Sequence, residues 1–246
     1  MNTVSNENSQ SAHGNSGSTE DARFSEIAKV ASVRVFHTVV GGMSNNVYLL
    51  VDEQAPDNSL LVDAADEADS IADLVEFASD QLAAPVAVRT IVTTHSHDDH
   101  VQALDDLMQR WQPTHVTSEL DAPDIPVAAD RTLAQGDTVT FGAGVDLDAF
   151  ILRGHTTGGV GLALNGGDTA GGEANDPTCL FVGDSLFPGG VGKTESDAAF
   201  AQLIDDAEQR IFNTYPDSAR VLPGHGDATT VGAERPELPQ WRARGW

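Results

Sequence analysis

Seven consecutive residues, Thr94-His95-Ser96-His97-Asp98-Asp99-His100, constrain this chain more than any other stretch. They join a β-rich run at residues 88–93 to a helical pattern in which Val101, Leu104, Leu107, Met108 and Trp111 recur on one face, at the i, i+3, i+4 spacing of an amphipathic helix. In an extended segment, side chains two apart point the same way, so His95 and His97 address a single cation at the strand's end. Asp99 and His100 are displaced by the turn and face a neighbouring second cation. Imidazoles with one carboxylate are ligands that zinc or iron accepts. The plainer alternative is a solvated capping turn, with Asp98 or Asp99 capping the following helix.

Single ligand-type residues at three other strand ends weigh against that alternative. Leu152-Arg153-Gly154-His155-Thr156 follows one β-rich run, Phe181-Val182-Gly183-Asp184-Ser185 another, and Leu222-Pro223-Gly224-His225-Gly226 a third. A glycine precedes the candidate each time, where it lets the backbone turn sharply or come close to a site. Taken singly, each is as readily a loop residue as a ligand. Together they complete two coordination spheres: His155 as the third imidazole beside His95 and His97, His225 with Asp99 and His100, and Asp184 between the two cations. His37 and His115 alternate with apolar strand neighbours and read as structural, while His13 lies in a polar tail.

The rest of the chain frames these motifs. Residues 1–23 are rich in Asn, Ser, Gly and Glu, too polar to repay the entropy of ordering, and read as a disordered tail. Residues 24–246 read as one domain. Strands are expected at residues 33–40, 46–51, 60–63, 88–93 and 114–117, with helical spacing at residues 71–82 and 101–111 between them. A second block follows at residues 138–141, 145–152, 160–163, 178–182 and 219–222, with helical spacing at residues 200–211. Two such blocks suggest an α/β fold of two sheets packed face to face with helices outside. Residues 165–176, rich in Gly and Asp, read as a surface hairpin loop or insertion.

Charge and cysteine content narrow the function. Lys and Arg number 13 against 38 Asp and Glu, a formal charge of -25, which repels the phosphate backbone of nucleic acids and anionic membranes. The acid reads as a solvated surface. The single cysteine, Cys179, permits no internal disulfide or thiolate cluster and sits in a strand as a buried thiol. No basic and apolar leader and no run of about 18 apolar residues is present, so a cytoplasmic location with no membrane partner is expected. Composition leaves the oligomeric state open.

The set His95-x-His97-x-Asp99-His100, Gly154-His155-Thr156, Gly183-Asp184-Ser185-Leu186-Phe187 and Pro223-Gly224-His225-Gly226 resembles the metallo-β-lactamase superfamily, in its short glyoxalase II-like branch. The resemblance runs from about Val33 to the C-terminus. It implies a four-layer αβ/βα sandwich with metals at one edge of the sheets. It also implies two divalent metal ions, zinc with iron or manganese as alternatives, that activate water as hydroxide against a thioester or related acyl compound. Asp99 then both ligates and orients the nucleophile, and Asp63 matches a family aspartate beside the ligand loop, as a supporting partner or as a plain strand-end cap.

Lys193, in Phe187-Pro188-Gly189-Gly190-Val191-Gly192-Lys193-Thr194, matches the position that supplies a basic residue to an anionic substrate. Two departures qualify the match: about 20 residues follow His225, which argues against glutathione as acyl carrier, and Thr157-Gly158-Gly159 replaces the more usual Pro-Gly-Ser/His. A mononuclear-iron persulfide dioxygenase, a lactone or β-lactam hydrolase, and a non-catalytic metal-binding protein are the alternatives on the same scaffold.

Overall fold

A computed structural model describes residues 23–166 and 177–245. The polar tail at residues 1–22, His13 and most of the expected loop at 165–176 lie outside the described residues. The first block builds one sheet from β1 (Ser25–Val30), β2 (Val33–Val40), β3 (Asn45–Asp52) and β4 (Ser59–Val62), then, after α1 (Ala68–Leu82), β5 (Val88–Val92). Helix α2 (Leu104–Trp111), β6 (Thr114–Ser118) and β7 (Arg131–Leu133) complete it, and its strands lie in sequence order. The second block forms a sheet of β8 (Thr138–Phe141), β9 (Val145–Leu152), β10 (Gly159–Leu164) and β11 (Cys179–Gly183), and then β14 (Arg220–Pro223) and β15 (Thr229–Thr230). A small hairpin, β12 (Leu186–Phe187) and β13 (Gly190–Val191), and helices α3 (Asp197–Ala207), α4 (Val231–Glu234) and α5 (Leu238–Arg244) fall between and after these strands.

Side-chain alternation explains the layers. On β3 all eight residues are buried, because the strand is covered on both faces. Tyr48 and Leu50 join Val35, Val62 and Val92 against Ile151, Leu162, Phe181 and Leu222 between the sheets. Val47, Leu49 and Val51 turn the other way onto Ile71 and Leu74 of α1 and Leu104 and Leu107 of α2. Behind the second sheet, Leu180, Val182 and Val221 pack on Phe200, Leu203, Ile204 and Trp241. The result is the four-layer αβ/βα sandwich anticipated above. Truncating one of these leucines to alanine costs about 2 to 5 kcal/mol.

Several elements lie outside the sequence expectations. The edge strand β1 carries Glu26 and Lys29 and is exposed at three of its six residues, with no strong apolar alternation. The elements β12, β13 and β15 span two residues each, too short to show a period. Helix α2 starts at Leu104 rather than at Val101, because residues 98–100 form a separate 3-10 turn. No helix among the described residues is long and apolar enough to cross a membrane.

Topology then decides where the ligand-type residues go. Strand β4 is parallel to β5, Val62 facing Val92, so Asp63 and Thr94 emerge side by side. Likewise β11 is parallel to β14, Gly183 facing Pro223, and releases Asp184 next to Gly224 and His225. Strand β9, separated from β11 by the antiparallel β10, ends at the same edge and delivers His155 there. Strand β3 runs antiparallel to β4, so it begins where the others end, with Asn45.

Candidate metal centre

Main-chain hydrogen bonds bind the two sheets together at this edge. Asn46 N donates to Gly224 O and Val160 N to Thr94 O, each at 2.7 Å, while Gly224 N to Gly183 O at 2.9 Å joins β14 to β11 within the second sheet. The buried Asp121 accepts from Ser96 N at 3.0 Å and from Gly158 N at 2.7 Å, coupling the loop of His95 and His97 to that of His155. Tyr48 Oη and Asn46 Nδ2 both donate to Pro223 O, at 2.7 and 3.0 Å, and so fix the strand end before His225. A rigid frame of this kind sets side-chain positions to a fraction of an ångström.

Within the frame, all seven ligand-type residues converge. His95, His97 and His155 form one group, Asp99, His100 and His225 a second, and His95, His100 and Asp184 a third, with the ligand-type atoms of each group within 4.8 Å of one another. Asp184 lies between the first two: its Oδ2 is 3.3 Å from His225 Nε2 and 3.7 Å from His155 Nε2, and its Oδ1 is 3.4 Å from His100 Nε2. His95 and His100 are buried at the floor, while His97 is exposed at the mouth.

The hydrogen-bond network fixes which ring nitrogens carry protons. His100 Nδ1 is 2.8 Å from Asp63 Oδ2, His225 Nδ1 is 3.0 Å from Met43 O, and His155 Nδ1 is 2.7 Å from Lys193 O. Each of these acceptors takes an N–H, so in the neutral rings, the form that ligates a cation, the Nε2 of all three is a bare lone pair. Thr94 Oγ1 spends its proton on Asp63 Oδ2 at 2.8 Å and therefore accepts from His95 Nδ1 at 3.0 Å, leaving His95 Nε2 bare as well.

These lone pairs face one another and two carboxylates. His100 Nε2 is 3.3 Å from His225 Nε2, His225 Nε2 is 3.1 Å from Asp99 Oδ2, and His95 Nε2 is 3.1 Å from His97 Nδ1. His155 Nε2 and Asp184 Oδ1 are buried with no hydrogen-bond partner. Convergent acceptors repel unless a positive charge sits among them, and four ligands about 2.1 Å from one cation stand roughly 3.4 Å apart, which matches these separations. The donor set therefore fits divalent cations.

The carboxylates facing His100 call for positive charge there, either as a second ring proton or as a cation that would displace it. Burial alone would lower the pKa of His100, but the Asp63 and Asp184 carboxylates outweigh it and raise the value to about 10. Burial opposes ionisation of Asp184 too, yet the facing His100 and His225 rings hold its carboxyl well below the usual range. At His95, where burial dominates and His100 adds repulsion, the pKa falls well below normal.

Other residues fall outside the cluster or enter it unannounced. His37 bonds Asn46 Oδ1 at 2.8 Å, and His115 bonds Thr93 Oγ1 at 3.0 Å and Ala128 O at 3.2 Å, so neither faces the centre. Lys193 carries an exposed side chain whose Nζ is 3.9 Å from Glu195 Oε1, while its backbone carbonyl holds His155. Asn45, not singled out from the sequence, donates from Nδ2 to Asp99 Oδ2 at 2.8 Å. Its signal was only its place at the start of an apolar strand. Of the three glycines before ligand-type residues, Gly154 and Gly183 have positive φ, 128° and 49°, whereas at Gly224 it is a side chain that is excluded, because a Cβ would overlap Asp184 Oδ1.

Comparison with known proteins identifies the family and the fold. The family model described as the metallo-beta-lactamase superfamily matches residues 40–225. The chain is 27% identical over 215 residues to the "Probable polyketide biosynthesis zinc-dependent hydrolase BaeB" of Bacillus velezensis, covering 85% of this chain and 84% of that one. It is 31% identical over 207 residues to a hydroxyacylglutathione hydrolase of Thermosynechococcus vestitus, covering 80% and 72%. Among solved structures, TTHA1623 in a di-iron-bound form superposes with a TM-score of 0.62 at 25% identity, covering 81% of this chain and 96% of the other.

Proposed function

The chain belongs to the metallo-β-lactamase superfamily, and on that footing we propose that it is a metal-dependent hydrolase whose two-cation centre cleaves a thioester or related acyl compound. His95, His97 and His155 would hold one cation and Asp99, His100 and His225 the other, with the Asp184 carboxylate placed between the two groups. When bound, the cations supply Lewis acidity, making water a competent nucleophile near neutral pH and polarising the carbonyl it attacks. Zinc suits the imidazole-rich donor set and is named for one relative; iron is named for a structural neighbour.

The protein's own groups do the rest. Asn45 ties up Asp99 Oδ2, leaving the other carboxylate oxygen to accept a hydrogen bond from the attacking water and to fix its direction. Asp63 and the Met43 and Lys193 carbonyls hold the imidazoles in one tautomer. The carbonyl that holds His155 is Lys193's own, so this lysine belongs to a loop beside the centre, which supports a substrate with an anionic end. The observation that carries the reading is the convergence of the ligand-type nitrogens of His95, His97, His100, His155 and His225 with the Asp99 and Asp184 carboxylates, each group of ligand-type atoms within 4.8 Å.

The test is turnover of a thioester, a lactone and a β-lactam by metal-stripped protein and by protein reloaded with zinc, iron or manganese, with oxygen uptake on a persulfide measured in parallel. The expected outcome is thioester hydrolysis that appears only on reloading. Oxygen consumption without hydrolysis would assign the centre to a dioxygenase, and full activity after metal removal would remove the metals from the mechanism.

A further inference from the structure

The main chain that leads to the third imidazole of the centre is gripped by a side chain that touches none of the seven ligand-type residues. Asp206, on α3, is 2% exposed. Its carboxylate accepts from Arg153 N at 3.0 Å, Arg153 Nε at 2.8 Å, Arg153 Nη2 at 2.7 Å and Gln202 Nε2 at 3.2 Å, and Arg210 Nη1 lies 3.3 Å away. A buried carboxylate is costly to desolvate and persists only where its lone pairs are filled, as they are here. Bonds to guanidinium groups alone would serve that end. The bond to Arg153 N does something else: it grips the main chain two residues before His155.

The next two residues are tied to the same helix. Gly154 has φ +128°, a conformation favouring glycine, and a Cβ there would overlap the Ala199 carbonyl of α3. His155 Nδ1 donates to Lys193 O, in the segment that leads to Ser196, whose hydroxyl caps α3 by accepting from Ala199 N. Arg153, Gly154 and His155 are thus fastened in turn to α3 and its lead-in. Helix α3 itself is fixed by Phe200, Leu203, Ile204 and Ala207 in the core behind the second sheet.

We propose that Asp206 is a positioning residue: by clamping the Arg153 main chain and side chain to α3, it fixes the His155 imidazole and sets the affinity of the His95, His97 and His155 group for a divalent cation. This rests on the reading that the group holds one.

The test is zinc titration of the full chain against a competing chelator, comparing the parent with Asp206→Asn and with Ile204→Val, which trims α3 packing without touching Arg153. His97→Ala identifies which binding step belongs to the His155 group. Asp206→Asn keeps one oxygen for Arg153 N but loses the paired charge and one acceptor, so it is expected to weaken that step roughly tenfold, the low end of the range seen for outer partners of metal ligands, while the other step and the far-ultraviolet dichroism stay at parental values. Ile204→Val is expected to move melting but neither step. Should Asp206→Asn fail to fold, Arg153→Ala carries the same test from the other side of the clamp, with a selective loss of roughly tenfold.

Unchanged zinc affinity in Asp206→Asn despite lower stability would overturn the proposal, as would equal weakening of both steps. A parent in which His97→Ala changes no zinc step would instead overturn the metal assignment beneath it, a distinct result.

Discussion

His100 Nδ1 lies 2.8 Å from Asp63 Oδ2, with the imidazole wholly buried and the carboxylate 2% exposed. The same carboxylate accepts from Thr94 N at 2.7 Å and Thr94 Oγ1 at 2.8 Å, so one aspartate governs the tautomer of His100 directly and that of His95 through Thr94. Asp63 holds φ +62°, a left-handed conformation that aspartate tolerates better than most residues. Of the two roles the sequence allowed it, supporting partner or strand-end cap, the geometry favours the first.

Asp63→Ala is therefore expected to weaken divalent-cation binding 10- to 100-fold, and Asp63→Asn less, since an amide oxygen still accepts from His100. Chelator competition on the two variants checks this. Parental affinity in Asp63→Ala would show that the ring needs no such partner.

Asn45 bears on turnover rather than on loading. Its Nδ2 is 2.8 Å from Asp99 Oδ2, and a hydrogen bond to a charged group is worth about 1.5 kcal/mol or more. Asn45→Ala should lower kcat roughly tenfold at saturating metal, by the usual conversion of energy to rate, with metal content unchanged. Steady-state kinetics beside metal analysis separate the two effects.

Gly224 tests the closeness of the ligands. Its φ lies outside the left-handed region, so alanine fits the backbone, but a Cβ would overlap Asp184 Oδ1 and stand 2.6 Å from His100 Cε1. Gly224→Ala should keep a native circular dichroism spectrum and lose at least one bound metal. Full loading would mean that Asp184 moves freely, against the fixed bridging position.

How much of this was legible beforehand follows from distance along the chain. His95, His97, Asp99 and His100 announce themselves because strand, turn and helix all fall within one short segment. His155, Asp184 and His225 are readable only as a set, through a repeated glycine at strand ends. Asn45, Thr94, Asp121 and Asp206 carry no local signal, since each acts on a residue that the sheet topology brings to it from elsewhere. The two-block fold is visible because its long strands and three longer helices have clear periods, while β12, β13 and β15 are too short to have one.

Cys179 gives a pH dependence away from the metals. Burial pushes its thiol up to about 11, so the folded chain holds the proton where the unfolded chain, with a thiol near 8.5, has lost it. Its stabilising share is complete below that unfolded value and is lost as pH rises toward about 11, by roughly 3 kcal/mol at most. Tyr48, raised by burial and by Asp63, acts in the same direction at higher pH. Denaturant unfolding at pH 8 and pH 10.5 should show a smaller alkaline loss in Cys179→Ala than in the parent, and equal losses would refute the buried thiol.

Five imidazoles and two carboxylates that converge at one sheet edge would hold two cations and so activate water. Metal analysis of the purified chain, read beside its thioester turnover, tests this most directly. Two divalent ions per chain are expected, both lost with activity on chelation and both restored together. One iron per chain with oxygen uptake on a persulfide, and no hydrolysis, would contradict it.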